Sequence, residues 1–282
     1  MYREPTHFLQ ELIQNKDDCS YGASVAPEMT FTYSPGRLRV DSNELGFTRA
    51  NVESLCGFGR SSKKTGDSIG RKGIGFKSVF KIADVVHLQS GFYSFKFDKA
   101  NPLGMLVPKW SAFPEPCMSE GTSLLLELSE GTSGPEIAGA LRRVDSSNIL
   151  FLRRLREIHI RIYESNTWWR NALWSRPDWD TRIKRQRETR VGAFRSISVS
   201  SKGRTTTCLV ACKRLDKLPG ASHSNGRSRS ELLMGFPVGQ DGSPVKEVAN
   251  QLVYAFLPVR QYGFTVSFPR FSQADSADLT TL

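Results

Sequence analysis

Three glycines within six residues, Gly70, Gly73 and Gly75, constrain this chain more than any other feature, because they run straight into a helix-like stretch in IGRKGIGFKSVFKIA, residues 69–83. Glycines at that density let backbone amides close around an anion with no Cβ in the way, and a following helix adds the partial positive charge of its N-terminus. The natural guest is a phosphate. The spacing is G-x-x-G-x-G, which is not the dinucleotide-binding G-x-G-x-x-G, and no G-x-x-x-x-G-K-[ST] phosphate loop occurs. A second stretch near the N-terminus, FLQELIQNKDD, carries polar residues of the kind that supply a metal ion and a base to bound phosphates. Together the two stretches suggest an ATP site.

Pro5-Thr6 ahead of HFLQELIQNKDD reads as a helix start, with Thr6 as N-cap and an apolar series at Phe8, Leu9, Leu12 and Ile13. At about 100° per residue, Glu11, Asn15 and Asp18 share a wedge of roughly 60°, while Leu9 and Ile13 point the other way. One face packs, and the other lines up a carboxylate, a neutral oxygen and a second carboxylate. Asn15 suits a hard cation that keeps most of its water and phosphate ligands, and Glu11 suits a general base acting on water. Next, MTFTYSPGRLRVDSNELGF reads as a hairpin turned at Ser34-Pro35-Gly36 and ending in a polar turn at Gly46. Asp41, Asn43 and Glu44 compete there to accept a hydrogen bond from the adenine amino group. Residues 47–68 start helical and end in a Gly, Ser and Lys tract, a candidate lid from which Lys63 and Lys64 reach phosphates. FKSVFKIA reads as a short helix, DVVHLQSGFYSFKFDK as a second hairpin, and GTSLLLELS as a buried strand entered through Thr122, whose hydroxyl can bond the adenine edge.

Several of these pieces resemble one superfamily in their order. Glu11-x-x-x-Asn15-x-x-Asp18, the turn Asn43-Glu44-Leu45-Gly46-Phe47, the G-x-x-G-x-G-F-x-S run from Gly70 through Phe76 to Ser78, and Gly121-Thr122 follow the order of the GHKL ATPases, which join gyrase, the large heat-shock chaperones, histidine kinases and MutL. More narrowly, FLQELIQNKDD, SIGRKGIGFKSVFK and LVYAFLPVRQYGF look like the sacsin and plant NO VEIN type, a likeness running from Tyr2 to about Phe264. The resemblance implies an α+β architecture: a Bergerat two-layer sandwich of helices on a mixed, mainly antiparallel sheet over residues 1–130, then a basic α+β subdomain over 131–282. It implies ATP and Mg2+ as cofactors, with Glu11 as general base, Asn15 as magnesium ligand, Asp18 as polar support, and Gly70, Gly73 and Gly75 as phosphate contacts. Phe76 and Gly46 stand at matching motif positions, and Thr122 would lie on the adenine side. The sequence departs from the pattern twice. The usual D-x-G-x-G turn has Ser42 in place of its aspartate and Glu44 in place of its first glycine, so Asp41 or Asn43 must substitute; and Lys16 replaces a small residue.

At 282 residues the chain is long enough for two subdomains, and no run approaches the ~20 apolar residues of a membrane span. Nothing before Phe8 resembles a signal peptide, and the five scattered cysteines show no metal-binding spacing, so a cytoplasmic or nuclear protein is expected. The net charge of +11 is uneven: from Arg142 to Arg229 there are 21 Lys and Arg against 7 Asp and Glu. That segment opens with a helical SSNILFLRRLR and a strand-like IHIRIY, and continues through strands near Phe194 to Val199 and Thr205 to Cys212. Its excess charge, and Trp168, Trp169, Trp174 and Trp179 among arginines, leave nucleic-acid binding as a secondary reading. After LVYAFLPV the arginine motif of relatives is missing, which reads either as a truncated or altered C-terminus or as weak hydrolysis. No histidine sits in a phosphoacceptor helix, so protein kinase activity is not expected. The expected function is slow Mg-dependent ATP hydrolysis driving lid closure, a chaperone-like or regulatory switch with a protein client. The alternative is an inactive nucleotide-sensing or scaffold module.

Overall fold

The computed structural model describes residues 7–56, 74–118, 120–164, 176–216, 229–239, 241–243, 245, 251–255, 257–264 and 268–269. Helix α1 (His7–Asp17) forms on the apolar series, and Phe8, Leu9, Leu12 and Ile13 are all buried. Strands β1 (Glu28–Ser34) and β2 (Arg37–Ser42) make the first hairpin, turned where Gly36 takes a φ of +78°. After α2 (Arg49–Cys56), the one-turn α3 (Ile74–Lys77) passes into a 3-10 turn (Ser78–Lys81). Then come β3 (Ala83–Ser90), β4 (Tyr93–Asp98), the two-residue β5 (Lys109–Trp110) and β6 (Thr122–Leu128). Helices α4 (Gly134–Arg143) and α5 (Ser147–Leu150) lead to β7 (Glu157–Ile162). The remaining strands are β8 (Trp179–Val191), β9 (Phe194–Ser201), β10 (Arg204–Asp216), β11 (Arg229–Val238), β12 (Gln251–Ala255), β13 (Leu257–Phe264) and β14 (Phe268–Pro269).

Hydrogen bonds join eleven strands into one sheet in the order β11-β10-β9-β8-β7-β1-β2-β6-β3-β4-β5, while β13-β12-β14 form a second, small sheet. The large sheet is mixed, since β1 pairs antiparallel with β2 and parallel with β7. This corrects the expected α+β Bergerat sandwich of helices on a sheet followed by a second α+β subdomain: the chain is mostly one large mixed sheet with few helices. The reason lies in where the backbone finds its partners. In SSNILFLRRLR the helix stops after one turn, because the carbonyls of Ile149, Leu150 and Leu152 accept from the Arg185 guanidinium. The amides of Arg153, Arg154 and Leu155 donate instead to the Asp17 carboxylate. Charged residues also hide a strand in β8, where Thr181, Ile183 and Arg185 are buried and Asp180, Arg182, Lys184 and Gln186 are exposed. Period-two alternation of that kind is a strand's signature even when few of its residues are apolar.

The chain divides into two compact units, Met1–Asp145 with Arg153–Ile183, and Ser146–Leu152 with Lys184–Leu282. In the first, strand register sorts side chains onto two faces. One carries the rows Ile160, Phe31, Val40, Leu124, Leu88, Phe95 and Ile162, Tyr33, Leu38, Leu126, Val86, Phe97, all of them buried. The opposite face is mainly polar around the buried Leu125, with Thr32, Arg39, His87 and Lys96 in the same row and Thr30, Asp41, Ser123 and Gln89 in the next. There Glu115 accepts from Arg37 at 3.4 Å and from Arg39 at 3.2 Å. Helix α4 starts on a Ser-x-x-Glu cap, with Ser133 Oγ accepting from the Glu136 amide at 3.3 Å, and buries Ile137, Ala138, Ala140 and Leu141. In the second unit Ile197, Val199, Cys208 and Val210 alternate inward on β9 and β10. Gly235 lies so close to α5 that a Cβ there would stand 3.1 Å from the Phe151 ring.

Candidate functional site

The buried face of the first unit changes character at one end. Beyond the apolar rows, the next cross-strand row is Met29, Ser42, Thr122 and Ser90, so three hydroxyls occupy positions where the pattern calls for aliphatic side chains. Ser42, Thr122 and Ser90 are 1%, 2% and 0% exposed. The turn after β2 folds Glu44 back onto this row. Its Oε1 accepts from Thr122 Oγ1 at 2.6 Å and from Lys16 Nζ at 3.2 Å, and its Oε2 accepts from the Gly46 amide at 3.3 Å. Ser90 Oγ accepts from the Phe47 amide at 2.8 Å and lies 2.7 Å from Thr122 Oγ1. Because the single Thr122 proton goes to the carboxylate, Ser90 is the donor to Thr122, and the chain of donors has one consistent direction.

Two glycines make this turn possible. Gly46 and Gly121 have φ values of +87° and +97°, which L side chains rarely adopt. A Cβ on Gly121 would stand 2.2 Å from the Ser42 carbonyl oxygen, so the approach of the β6 entrance to the end of β2 requires glycine. Past the end of α1, the Tyr21 hydroxyl donates to the Lys16 carbonyl at 2.8 Å, and burial, aided by Cys19, Glu44 and Asp17, pushes its ionisation well above the ordinary tyrosine range.

The three residues that compete in the sequence to read adenine separate cleanly. Asp41 lies on the opposite face from Thr122, ion-paired with Arg39 at 2.9 Å and accepting from Ser123 Oγ at 2.6 Å. Asn43 ties the loop before β1 to the turn, donating to the Ala26 carbonyl at 2.8 Å and accepting from the Glu28 amide at 2.9 Å. Glu44 is the one brought to Thr122. Glu11 and Asn15 on α1 and Asp18 just past its end are all half-buried, while the neighbouring Lys16 and Asp17 are buried. Helix α3 packs against α1, which brings Gly75 and Phe76 to the helix that carries Glu11 and Asn15. Phe76 joins an aromatic cluster, its ring centroid 6.4 Å from Phe80 and 5.9 Å from Phe97. Lys77 stands 4.7 Å over the Phe97 ring, and burial lowers its pKa. Gly70, Gly73, the lid tract with Lys63 and Lys64, Trp168, Trp169 and Trp174 lie outside the described residues.

Asp17 is the buried residue of α1 that the sequence reading passed over, and Lys16 is noted there only as a departure from the family pattern. Asp17 holds the amides of Arg153, Arg154 and Leu155 at 2.9, 2.7 and 2.8 Å. Its signal was faint: a charged residue on the apolar side of an amphipathic helix, next to another. Among the described residues, no helix is long and apolar enough to cross a membrane, and no group of three or more His, Cys, Asp or Glu is placed to hold a metal ion.

The sequence is NO VEIN-like. It is similar to Protein NO VEIN of Arabidopsis thaliana, at 31% identity over 288 aligned residues that cover 93% of this chain and 10% of that protein. The chain thus spans about a tenth of the length of the curated relative it matches. No family model matches the chain.

Proposed function

We propose that this chain binds ATP with Mg2+, the base seated against Glu44 and Thr122 and the phosphates on the glycine run at Gly70, Gly73 and Gly75, and that it hydrolyses ATP slowly. The observation that carries this reading is the buried Glu44–Thr122 pair. Glu44 Oε1 is fully committed, but Oε2 takes only a long 3.3 Å hydrogen bond from Gly46, and Ser42 Oγ is buried with no hydrogen-bond partner among the described residues. Buried acceptors and hydroxyls left in that state are costly unless a ligand completes them. They suit the polar edge of a heterocycle.

The cation fits on similar grounds. Magnesium is held by few protein ligands when phosphates supply the rest, so a lone half-buried amide, Asn15, is an adequate donor without an acidic cluster. When bound, the nucleotide supplies the phosphoanhydride and the metal its charge. Of the chain's own groups, Glu11 lies one helical turn from Asn15 on the same side of α1, where it acts on the attacking water as general base. Glu44 and Thr122 fix the base, and the Phe76–Phe80–Phe97 cluster anchors the helix that follows the glycine run.

Calorimetric titration of the whole chain with ATP, with and without magnesium, tests the reading beside a Gly73→Asp variant that puts a negative charge in the phosphate loop. Magnesium-dependent binding that disappears in the variant is the expected result. A wild-type chain that melts cooperatively and binds no ATP overturns it. Glu11→Ala is expected to keep ATP affinity within a few-fold and lose phosphate release, and unchanged turnover would remove Glu11 from the role of base.

A further inference from the structure

Lys16 is the departure from the superfamily pattern that the site itself makes meaningful. Its side chain is 9% exposed, and among the described residues its ammonium has one partner, Glu44 Oε1 at 3.2 Å. An ammonium carries three N–H donors, so two have no described acceptor. The Phe47 ring, 5.9 Å away, offers a diffuse attraction and no lone pair. A buried cation with a single acceptor is expensive, and the carboxylate that supplies that acceptor has a lightly used second oxygen, Glu44 Oε2. Donor and acceptor capacity therefore stand side by side at one buried strand end.

We propose that Lys16 is a specificity-determining residue of this site, donating from its ammonium to ring N1 of adenine while Glu44 Oε2 accepts from the 6-amino group. The inference rests on the nucleotide reading given above. The acceptor count selects the base: Oε1 is taken by Lys16 and Thr122, which leaves one carboxylate oxygen, and one oxygen matches one exocyclic N–H. Guanine presents N1–H and a 2-amino group side by side and asks for two acceptors, and its O6 is repelled by the carboxylate. A small residue at position 16 has no donor to give, so direct contact with N1 is a property of Lys16.

The experiment compares the wild-type chain's affinity for ATP, GTP and 1-deaza-ATP, in which a C–H replaces N1, and repeats the ATP and 1-deaza-ATP titrations with Lys16→Met. For the wild type, 1-deaza-ATP and GTP are expected to bind roughly 10- to 100-fold more weakly than ATP, the size of one charge-assisted hydrogen bond. Lys16→Met is expected to bind ATP and 1-deaza-ATP equally. Should that variant fail to give a cooperative melt, the wild-type comparison alone decides. Equal wild-type affinity for ATP and 1-deaza-ATP overturns the assignment of Lys16 and leaves the nucleotide reading standing. GTP binding as tightly as ATP overturns the adenine selection. No nucleotide bound by a folded wild-type chain overturns the nucleotide reading, and this inference with it.

Discussion

Replacing Asp17 by alanine would strand three backbone amides that now share one carboxylate. With buried unsatisfied groups costing about 1–3 kcal/mol each, the loss is expected to reach about 3 kcal/mol, read as a fall in the urea midpoint; Asp17→Asn, which keeps one acceptor oxygen, is expected to lose less. A second prediction concerns pH. His159 is buried, and burial lowers its pKa, with the hydrogen bond to Asp180 at 2.6 Å offsetting part of the effect. The folded chain then binds fewer protons at this residue than the unfolded chain, so its contribution is present above the unfolded value of about 6.5 and is lost as pH falls through the lowered folded value. Denaturation midpoints are expected to drop between pH 7.5 and pH 5, and His159→Gln is expected to flatten part of that slope. A wild-type midpoint that rises toward pH 5 would contradict the assignment.

Elements tell a different story from residues, because their boundaries depend on local chemistry that a sequence displays openly. The hairpin of β1 and β2 was legible from alternation around Ser34-Pro35-Gly36, and α1 from its apolar series. Helix α4 carried a readable signal, Ser133 three residues before Glu136 with Ile137 and Leu141 a turn apart, that sequence reading passed over. Ser133→Ala is expected to cost about 1 kcal/mol in thermal or chemical denaturation, the usual worth of such a cap. What could not be read locally was decided at long range. The SSNILFLRRLR segment has a helical pattern, but Asp17 and Arg185 take its backbone groups from 136 and 36 residues away. Register with β6 likewise pairs Asp41 with Ser123, on the face away from Thr122, and it is the turn beyond β2 that returns Glu44 to Thr122. At the β6 entrance, Gly121→Ala is expected to destabilise by about 3 kcal/mol or more, since the added methyl meets the Ser42 carbonyl and the φ is unfavourable.

For the molecule as a whole, the large sheet is held together by pairings that skip far along the chain. In the first unit, β1 lies between β2, its hairpin partner, and β7, whose Ile158, Ile160 and Ile162 face Met29, Phe31 and Tyr33 in parallel register. A fragment ending at Asp145 would leave that edge of β1 bare and Asp17 without its three amides. It is expected to show no cooperative melt, whereas a fragment carried through Ile183 retains both contacts; equal melts from the two would show that β7 is dispensable. The same tether has a meaning for a protein as it is being made. Asp17 leaves the ribosome 136 residues before Arg153 does, an interval on the order of 10 s at the usual pace of translation. Through that time the edge of β1 that pairs with β7 has its backbone groups open to water, an unpaired strand edge of the kind that other chains can add to.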